Sequence, residues 1–339
     1  MKRMVIAGGS GFLGRILAEH FTGLGWEVVI LTRYPKAPGE TFWDGETVGG
    51  WKCELDGAEA LINLAGKTVN CRYNARNRAE ILASRVNSTR ALGEAIKLCS
   101  RPPRIWLNAS TATIYKHTFE VAHDEEGEIG SDPDAKDAFS IEVACAWEKA
   151  FEEAVAPGVR KVALRAAMVL GLGTNSVFPM LRRLARLGLG GQMGSGEQYV
   201  SWVHARDFCR AVEWIMAHED LRGVINVAAP NPVRNWEMMR IVRKKVRALF
   251  GLPATAWMLE IGAFLLRTET ELIIKSRRVI PRRLIVSGFQ FEFPEMRMAF
   301  DDLEKALMKN KNGLRAETKP VVSVSVNPES VYGTARKSM

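Results

Sequence analysis

Four glycines near the start of the chain have the spacing of an anion-binding turn. They stand at positions 8, 9, 11 and 14, after an apolar run at residues 4–7 and before a stretch with helical periodicity. In a strand–turn–helix unit, Gly8 or Gly9 would permit the tight turn, and Gly11 would let a pyrophosphate approach the backbone. Gly14 would allow the helix to pack closely against the strand. The stretch therefore predicts a dinucleotide-binding turn, with a bare structural turn as the alternative.

The end of the second predicted strand indicates which dinucleotide binds. This strand covers residues 26–33 and ends in Thr32 and Arg33, with Lys36 close behind. An NAD enzyme places Asp or Glu near this point, whereas a guanidinium offers a bidentate fork to the 2′-phosphate of NADP. We therefore predict NADP(H) as the cofactor. The alternative is that Arg33 is a solvated residue at a strand end.

Residues 110–115 contain the side chains best placed to move a proton. A buried strand predicted over residues 105–111 ends in Ser110 and Thr111, and Tyr115 follows four residues later. Ligands of doubly wound sheets bind beyond the carboxyl ends of the strands, so this corner would face the substrate. Thr111 and Tyr115 are the catalytic candidates. The alternative is that the hydroxyl bonds to loop backbone and that the tyrosine ring packs.

Strands alternate with helices over the first half of the chain, which predicts βαβ units. The fold class is α/β, a Rossmann-type doubly wound parallel sheet with a smaller, partly interleaved C-terminal substrate-binding domain. We assign residues 1–172 and 203–228 to the NADP-binding domain, and residues 173–202 and 229–305 to the substrate-binding domain. The polar residues 306–339 have little periodicity and are predicted to form a disordered tail.

Short motifs spread over residues 4–305 resemble those of one protein family. They are Gly8–Gly14, Leu31–Arg33, Ile62–Gly66, Ile81–Arg85, Ala146–Glu148, Leu164–Arg165, Val169–Gly171, Leu187–Gly191, Gly194–Gly196, Ser201–His204, Val279–Pro281 and Gly288–Phe291. In this order they resemble the extended short-chain dehydrogenase/reductase superfamily and, within it, the atypical subgroup called epimerase family proteins. A series of motifs in this order is much more specific to one family than the glycine turn alone, which occurs in many dinucleotide-binding proteins.

The resemblance implies NADP(H) binding, with a C-terminal region closing over a substrate cleft. It implies that Ser10, Gly11, Phe12 and Leu13 contact the phosphates, that Thr32 and Arg33 contact the 2′-phosphate, and that Leu64 and Ala65, next to Gly66, lie beside the ribose. It also implies cofactor contacts for Glu80 and Arg85 on the long helix and for Arg165 near the nicotinamide. Glu80 could instead be a surface charge, and Arg165 a packing or loop-anchoring residue.

The usual catalytic pair of the superfamily is missing from this sequence. That pair is Tyr-x-x-x-Lys, in which the ammonium lowers the pKa of the tyrosine so that it can exchange a proton. The tyrosines stand at positions 34, 73, 115, 199 and 332, and none is followed four residues later by lysine. By position, Phe139 or Ser140 replaces the tyrosine. The resemblance predicts the same deficit for the atypical subgroup.

Two functions are therefore open. The first is an NADP(H)-dependent oxidoreductase, or an epimerase working by transient oxidation of a small-molecule substrate. The second is a regulatory module that binds NADP(H) without turnover.

Composition limits the partners and the compartment. The chain has 339 residues and a net charge of +9, but its basic residues lack the aromatic interleaving of a nucleic-acid groove, so we expect no nucleic-acid partner. No apolar stretch is long enough to cross a bilayer, and we expect no membrane partner. The five widely spaced cysteines favour a cytoplasmic location, and His204 with Asp207 lacks a third ligand, so no metal site is predicted. We expect a monomer or a homodimer.

Overall fold

The computed structural model of the chain describes residues 1–133, 135–173, 176–255, 258 and 274–317. The strands are β1 (Arg3–Ala7), β2 (Glu27–Thr32), β3 (Glu40–Phe42), β4 (Ala60–Asn63), β5 (Ile105–Thr111), β6 (Arg160–Ala166), β7 (Met168–Leu170), β8 (Tyr199–Val200), β9 (Trp202–His204), β10 (Gly223–Val227) and β11 (Val233–Arg234). The helices are α1 (Phe12–Gly23), α2 (Ala75–Lys97), α3 (Ala138–Glu153), α4 (Val177–Arg186), α5 (Ala205–Ala217), α6 (Asn235–Val246), α7 (Arg282–Val286) and α8 (Met296–Glu317). Short 3-10 turns occupy Gly50–Glu54 and Ala112–Ile114.

A seven-stranded sheet in the order β10-β6-β5-β4-β1-β2-β3 forms the centre of the molecule. All of its strand pairs are parallel, as the alternation of strands and helices predicts. The chain winds outward in one direction from β1 through β3 and in the other from β4 through β10. The winding direction reverses between β1 and β4, and a crevice at the carboxyl ends of these two strands is where such sheets bind ligands. The Rossmann-type fold class is confirmed.

Helices cover both faces of this sheet. On one face, Leu17 and Phe21 of α1 and Phe208 of α5 pack against apolar strand residues in one core. On the other face, Leu92 of α2 and Phe151 of α3 belong to a second core that includes Trp106 of β5. Because both faces are covered, the inner strands are rich in buried apolar residues, such as Met4–Ala7 of β1 and Ile105–Leu107 of β5.

A separate apolar cluster lies outside the sheet. It includes Phe178 of α4, Trp202 of β9, Met239 of α6 and Phe300 of α8. Both chain segments assigned to the smaller domain contribute to it. Two small sheets, β11-β8 and β7-β9, accompany this cluster.

Asp207 of α5 connects this region to the main sheet. Its carboxylate has no solvent exposure and accepts hydrogen bonds from the backbone N–H groups of Glu292, at 3.0 Å, and Phe293, at 2.8 Å. His204 precedes α5 and accepts a hydrogen bond from the backbone N–H of Arg206, while burial lowers its pKa to about 4. The side chains of His204 and Asp207 therefore form hydrogen bonds that hold neighbouring backbone in place. The described residues contain no cluster of three or more potential metal ligands.

The C-terminal helix differs from the sequence prediction. We expected disorder from residue 306, but α8 continues to Glu317. Residues 318–339 of the predicted tail lie outside the described residues. Among the helices that the structure describes, none is both long and apolar enough to cross a bilayer.

Gly14 is required by the packing of α1 against the turn that precedes it. A Cβ atom at this position would lie 2.3 Å from the Cα atom of Gly9, far inside van der Waals contact, whereas a Cβ at Gly23 in the same helix would meet nothing within 4 Å. We expect Gly14→Ala to lower the free energy of unfolding by about 2 kcal/mol or more through overpacking. Gly23→Ala is the matched control, for which we expect no loss or a gain of about 0.5 kcal/mol. Urea denaturation of both variants measures the difference, and equal stabilities would contradict this account.

Candidate dinucleotide site

The turn after β1 lies directly against the end of β4. Gly8 has a φ of +72°, and a Cβ atom there would lie 2.7 Å from the Cα atom of Ala65 and 3.0 Å from the carbonyl carbon of Leu64. Only glycine satisfies both this backbone conformation and this contact. Beyond its own chain neighbours, a Cβ at Gly11 would come no closer than 3.9 Å to another atom, the carbonyl oxygen of Gly8. Gly11 is therefore uncrowded, with room for a ligand to approach its backbone in the turn after β1.

The end of β2 also contacts this turn. The Thr32 hydroxyl donates a hydrogen bond to Oγ of Ser10 at 3.2 Å, although the two residues are 22 positions apart. Arg33, the next residue, is exposed beside Tyr34, with 6.0 Å between its guanidinium carbon and the ring centroid. The first turn of α1 contains no acidic residue. The local field at the turn therefore favours an anion.

Phe12 and Leu13 begin α1 but face different surroundings. The ring of Phe12 packs against the backbone after β7, where a Cβ atom would approach it to 2.6 Å at Gly171 and 2.3 Å at Gly173. Leu13 packs against the core beneath the sheet. A bound phosphate would therefore meet their backbone N–H groups, while the Phe12 ring connects the turn to the loop after β7.

Arg85 of α2 lies beside the loop that follows β4. Its Nη1 donates to the backbone carbonyls of Lys67 and Ile81, both at 3.0 Å, and its guanidinium carbon is 5.2 Å from the ring centroid of Trp147. A Cβ at Gly66 would be 3.1 Å from that guanidinium carbon. Burial lowers the pKa of Arg85 to about 10, and no described carboxylate forms an ion pair with it. The guanidinium remains a cation near the crevice without a neutralising charge.

Glu80, also on α2, has its charge neutralised within the protein. Its carboxylate pairs with Lys67 and, at 2.8 Å, with Arg76, and these partners hold its pKa at about 2. Its side chain is 43% exposed. The geometry favours the surface-charge interpretation of Glu80 over a cofactor contact.

Arg165 forms the centre of a polar network that ties three strands to α3. It binds the carboxylate of Glu148 in a bidentate manner, with Nε–Oε1 and Nη2–Oε2 distances of 2.8 and 2.7 Å. Its Nη1 donates to the Tyr115 hydroxyl at 2.9 Å, and that hydroxyl donates to Oδ1 of Asn226 at 2.8 Å. Ser110 donates to Glu148 at 2.5 Å. The geometry favours the loop-anchoring interpretation of Arg165.

The two catalytic candidates have different surroundings. Tyr115 is 1% exposed, and burial raises its pKa. Its ring stacks on His123 with the centroids 5.3 Å apart, so the phenol is a buried structural group. The hydroxyl oxygen of Thr111 accepts a hydrogen bond from the backbone N–H of Thr113 at 3.1 Å and belongs to a partly exposed residue. No described residue accepts a hydrogen bond from the Thr111 O–H, so within the part of the chain that the structure describes this hydroxyl can still donate.

At the start of α3, apolar side chains occupy the positions where the missing catalytic pair is expected. Phe139 packs edge-on against Tyr73, with the ring centroids 5.0 Å apart, and Val143 shares its apolar cluster. A buried ion pair between Lys275 and Asp137 lies just before the helix, and Lys275 also donates to the carbonyl of Thr113 at 2.6 Å. This lysine has no solvent exposure of its side chain and anchors the C-terminal segment beside the Thr111 corner.

Three members of these networks carry no signal in the sequence that assigns them to a site. Glu148 belongs to one of the family-like motifs without a predicted role, and Asn226 and Lys275 belong to no predicted site. Each contacts residues more than 15 positions away, at separations of 17, 111 and 162 residues for the bonds to Arg165, Tyr115 and Thr113. No local pattern marks such partners; only the order of the strands brings them together.

Comparisons with known proteins agree with this geometry. The family model described as the NAD dependent epimerase/dehydratase family matches residues 4–228. The chain belongs to this family. A domain of unknown function, DUF1731, matches residues 254–303.

Individual relatives align over almost their whole length. The human epimerase family protein SDR39U1 is 30% identical over 308 residues, covering 89% of this chain and 99% of the relative. The epimerase family protein YfhF of Bacillus subtilis is 29% identical over 307 residues, covering 88% of this chain and 97% of the relative. The resemblance to epimerase family proteins is confirmed.

Solved structures show the same architecture. The crystal structure of human SDR39U1 (isoform 2) with NADPH superposes with a TM-score of 0.79 at 28% identity, covering 89% of this chain and 99% of that one. A nucleoside-diphosphate sugar epimerase from Corynebacterium glutamicum superposes with a TM-score of 0.72 at 27% identity, covering 93% of this chain and 61% of that one.

The network around Arg165 predicts a stability effect at Tyr115. We expect Tyr115→Phe to lower the free energy of unfolding by about 1–3 kcal/mol, because the buried Asn226 oxygen and one Arg165 N–H lose their partner. The control is Tyr34→Phe, which removes a hydroxyl from a residue that is 73% exposed and should change stability by less than about 0.5 kcal/mol. Thermal and urea unfolding measure both, and a neutral Tyr115→Phe would contradict the assignment of this hydroxyl to the network.

Proposed function

We propose that the chain is an NADP(H)-dependent oxidoreductase, or an epimerase that oxidises its substrate transiently. The observation that carries this proposal is the contact between the glycine turn and the end of β2, where Thr32 donates to Ser10 and Arg33 follows. Arg33 occupies the position after β2 where NAD-binding proteins have an acidic residue, and its positive charge favours the 2′-phosphate of NADP. The structure of human SDR39U1 with NADPH supports the same choice.

Different residues at the crevice would contact different parts of this cofactor. The backbone N–H groups around Ser10, Gly11, Phe12 and Leu13 would bind the pyrophosphate, and Leu64, Ala65 and Gly66 would lie along the ribose. Arg85 would supply a positive potential beside the loop after β4. When bound, NADP(H) supplies the hydride chemistry, and the protein supplies binding and orientation.

Thr111 is the residue we propose for proton handling. It is the partly exposed hydroxyl at the carboxyl end of β5, and its unused O–H can donate to a substrate oxygen. Tyr115 acts indirectly, by holding Arg165 and Asn226 in place. Glu148 and Arg165 then fix α3 against the strands that form the floor of the site.

A regulatory module that binds NADP(H) without turnover is the second candidate. The observation that favours it is the apolar packing of Phe139 and Val143 at the start of α3, which leaves no tyrosine or lysine there to exchange a proton. The two candidates share the same cofactor site. The five cysteines carry free thiols, which supports a reducing, cytoplasm-like compartment for either one.

Cofactor choice is tested at Arg33. We expect Arg33→Asp to weaken NADPH binding by about 10-fold to 100-fold, because a charge-assisted bond to phosphate is replaced by repulsion. NADH affinity should change by less than about threefold, since NADH has no 2′-phosphate. Calorimetric titration of the wild type and the variant with both nucleotides measures this. Equal wild-type affinities for NADPH and NADH would contradict the assignment.

Turnover is tested by following bound NADPH. We expect single-turnover oxidation, measured as decay of the nicotinamide absorbance, with at least one member of a panel of carbonyl compounds and sugar nucleotides. Thr111→Val should slow that decay without changing NADPH affinity, because it removes a hydroxyl and keeps the shape. If NADPH bound tightly but no compound caused decay, the regulatory module would be the better conclusion.

A further inference from the structure

A second exposed guanidinium lies beside the turn that contacts the end of β2. Arg15, in the first turns of α1, donates from Nε to the backbone carbonyl of Ser10 at 3.0 Å. The side-chain oxygen of the same Ser10 accepts the hydrogen bond of Thr32, which Arg33 follows. Ser10 is therefore contacted by Arg15 through its carbonyl and by Thr32 through its hydroxyl.

We propose that Arg15 is a second cation for the 2′-phosphate of NADP(H) and that, with Arg33, it sets the preference for NADP(H) over NAD(H). This inference rests on the proposed function, because it assumes that a dinucleotide occupies the crevice. It adds a specificity residue that belongs to none of the motifs identified in the sequence. The 2′-phosphate is a dianion near neutral pH, so a site with two cations neutralises it better than a site with one.

The charge of Arg15 is not neutralised by the described part of the protein. No carboxylate in that part forms an ion pair with Arg15 or with Arg33, and the first turn of α1 contains no acid. Some exposed arginines do have such partners, for example Arg76 with Glu80 and Arg104 with Glu59. Others, such as Arg90, have none among the described residues, so what distinguishes Arg15 is its bond to Ser10. Arg15 therefore contacts Ser10 directly, and Arg33 follows the residue that contacts the hydroxyl of the same serine.

The bond from Nε also preorganises the side chain. An arginine that lies free in solvent loses rotamer entropy when it binds an anion, and this loss weakens the interaction. The bond to the Ser10 carbonyl already restrains Arg15 near the turn, and it uses Nε rather than the two terminal nitrogens. Those nitrogens can form the bidentate contact that guanidinium groups make with phosphate.

The test compares dinucleotides that differ only in the 2′-phosphate. We expect Arg15→Gln to weaken NADPH binding by about tenfold and to leave NADH binding within about twofold, as measured by calorimetric titration. Arg15→Lys should give an intermediate loss, because it keeps the charge but not the fork. The matched control is Arg90→Gln, which removes an exposed cation from α2 and should change neither affinity.

A second pair of ligands identifies which phosphate Arg15 contacts. Arg15→Gln should weaken 2′,5′-ADP, which carries the 2′-phosphate, and should leave 5′-ADP, which carries a pyrophosphate, nearly unchanged. An equal loss for NADPH and NADH, or a loss for 5′-ADP, would overturn the proposal and assign Arg15 to the pyrophosphate or to the turn itself. An unchanged NADPH affinity would also overturn it. If the wild-type protein bound no dinucleotide at all, the proposed function would fail first, and that result is distinguishable from a failure at Arg15 alone.

Discussion

The site depends on the close approach of two backbones at the point where the winding of the sheet reverses. The turn after β1 can lie against Ala65 at the end of β4 only because Gly8 has no side chain and adopts a positive φ. This contact brings the turn after β1 against the end of β4, while Gly11 in the same turn stays uncrowded. The direction of α1 and its packing through Gly14 follow from the same turn. A change there would alter the cofactor site and the core together.

Electrostatics then divides the site into two regions. Near the glycine turn, the guanidinium groups of Arg15, Arg33 and Arg85 have no carboxylate partner among the described residues, and no acid occupies the first turn of α1. Farther along the strands, Arg165 is paired with Glu148, and the Tyr115 hydroxyl is satisfied on both sides. Buried charges are costly unless they are paired. This cost applies to Arg85, whose burial lowers its pKa, so an anionic ligand would stabilise it, while the exposed Arg15 and Arg33 add positive charge nearby. The paired Arg165 in the second region maintains the architecture.

The missing catalytic pair changes the chemistry available at the second region. In this chain, the start of α3 contributes packing through Phe139 and Val143, and the nearby buried ion pair of Lys275 and Asp137 joins the C-terminal segment to the same corner. The corner is held by an ion pair and hydrogen bonds, and apolar residues occupy the positions where the proton-exchanging pair is expected. Cofactor binding and orientation are therefore the properties that this structure supports best. Among the groups at this corner, the Thr111 hydroxyl is the best candidate to transfer a proton.

Local pattern in the sequence was sufficient for the glycine turn, the alternation of strands and helices, the Rossmann-type sheet and the cation at the end of β2, because each depends on residues close together in the chain. It also singled out Thr111 and Tyr115 as catalytic candidates, which for Thr111 stays a prediction. Only the tertiary structure decided that Tyr115 is buried between Arg165 and Asn226 and that Glu80 is neutralised by Lys67. The role of a polar side chain depends on which partners the strand order brings within hydrogen-bond distance, and those partners lie too far away in sequence for any spacing to reveal.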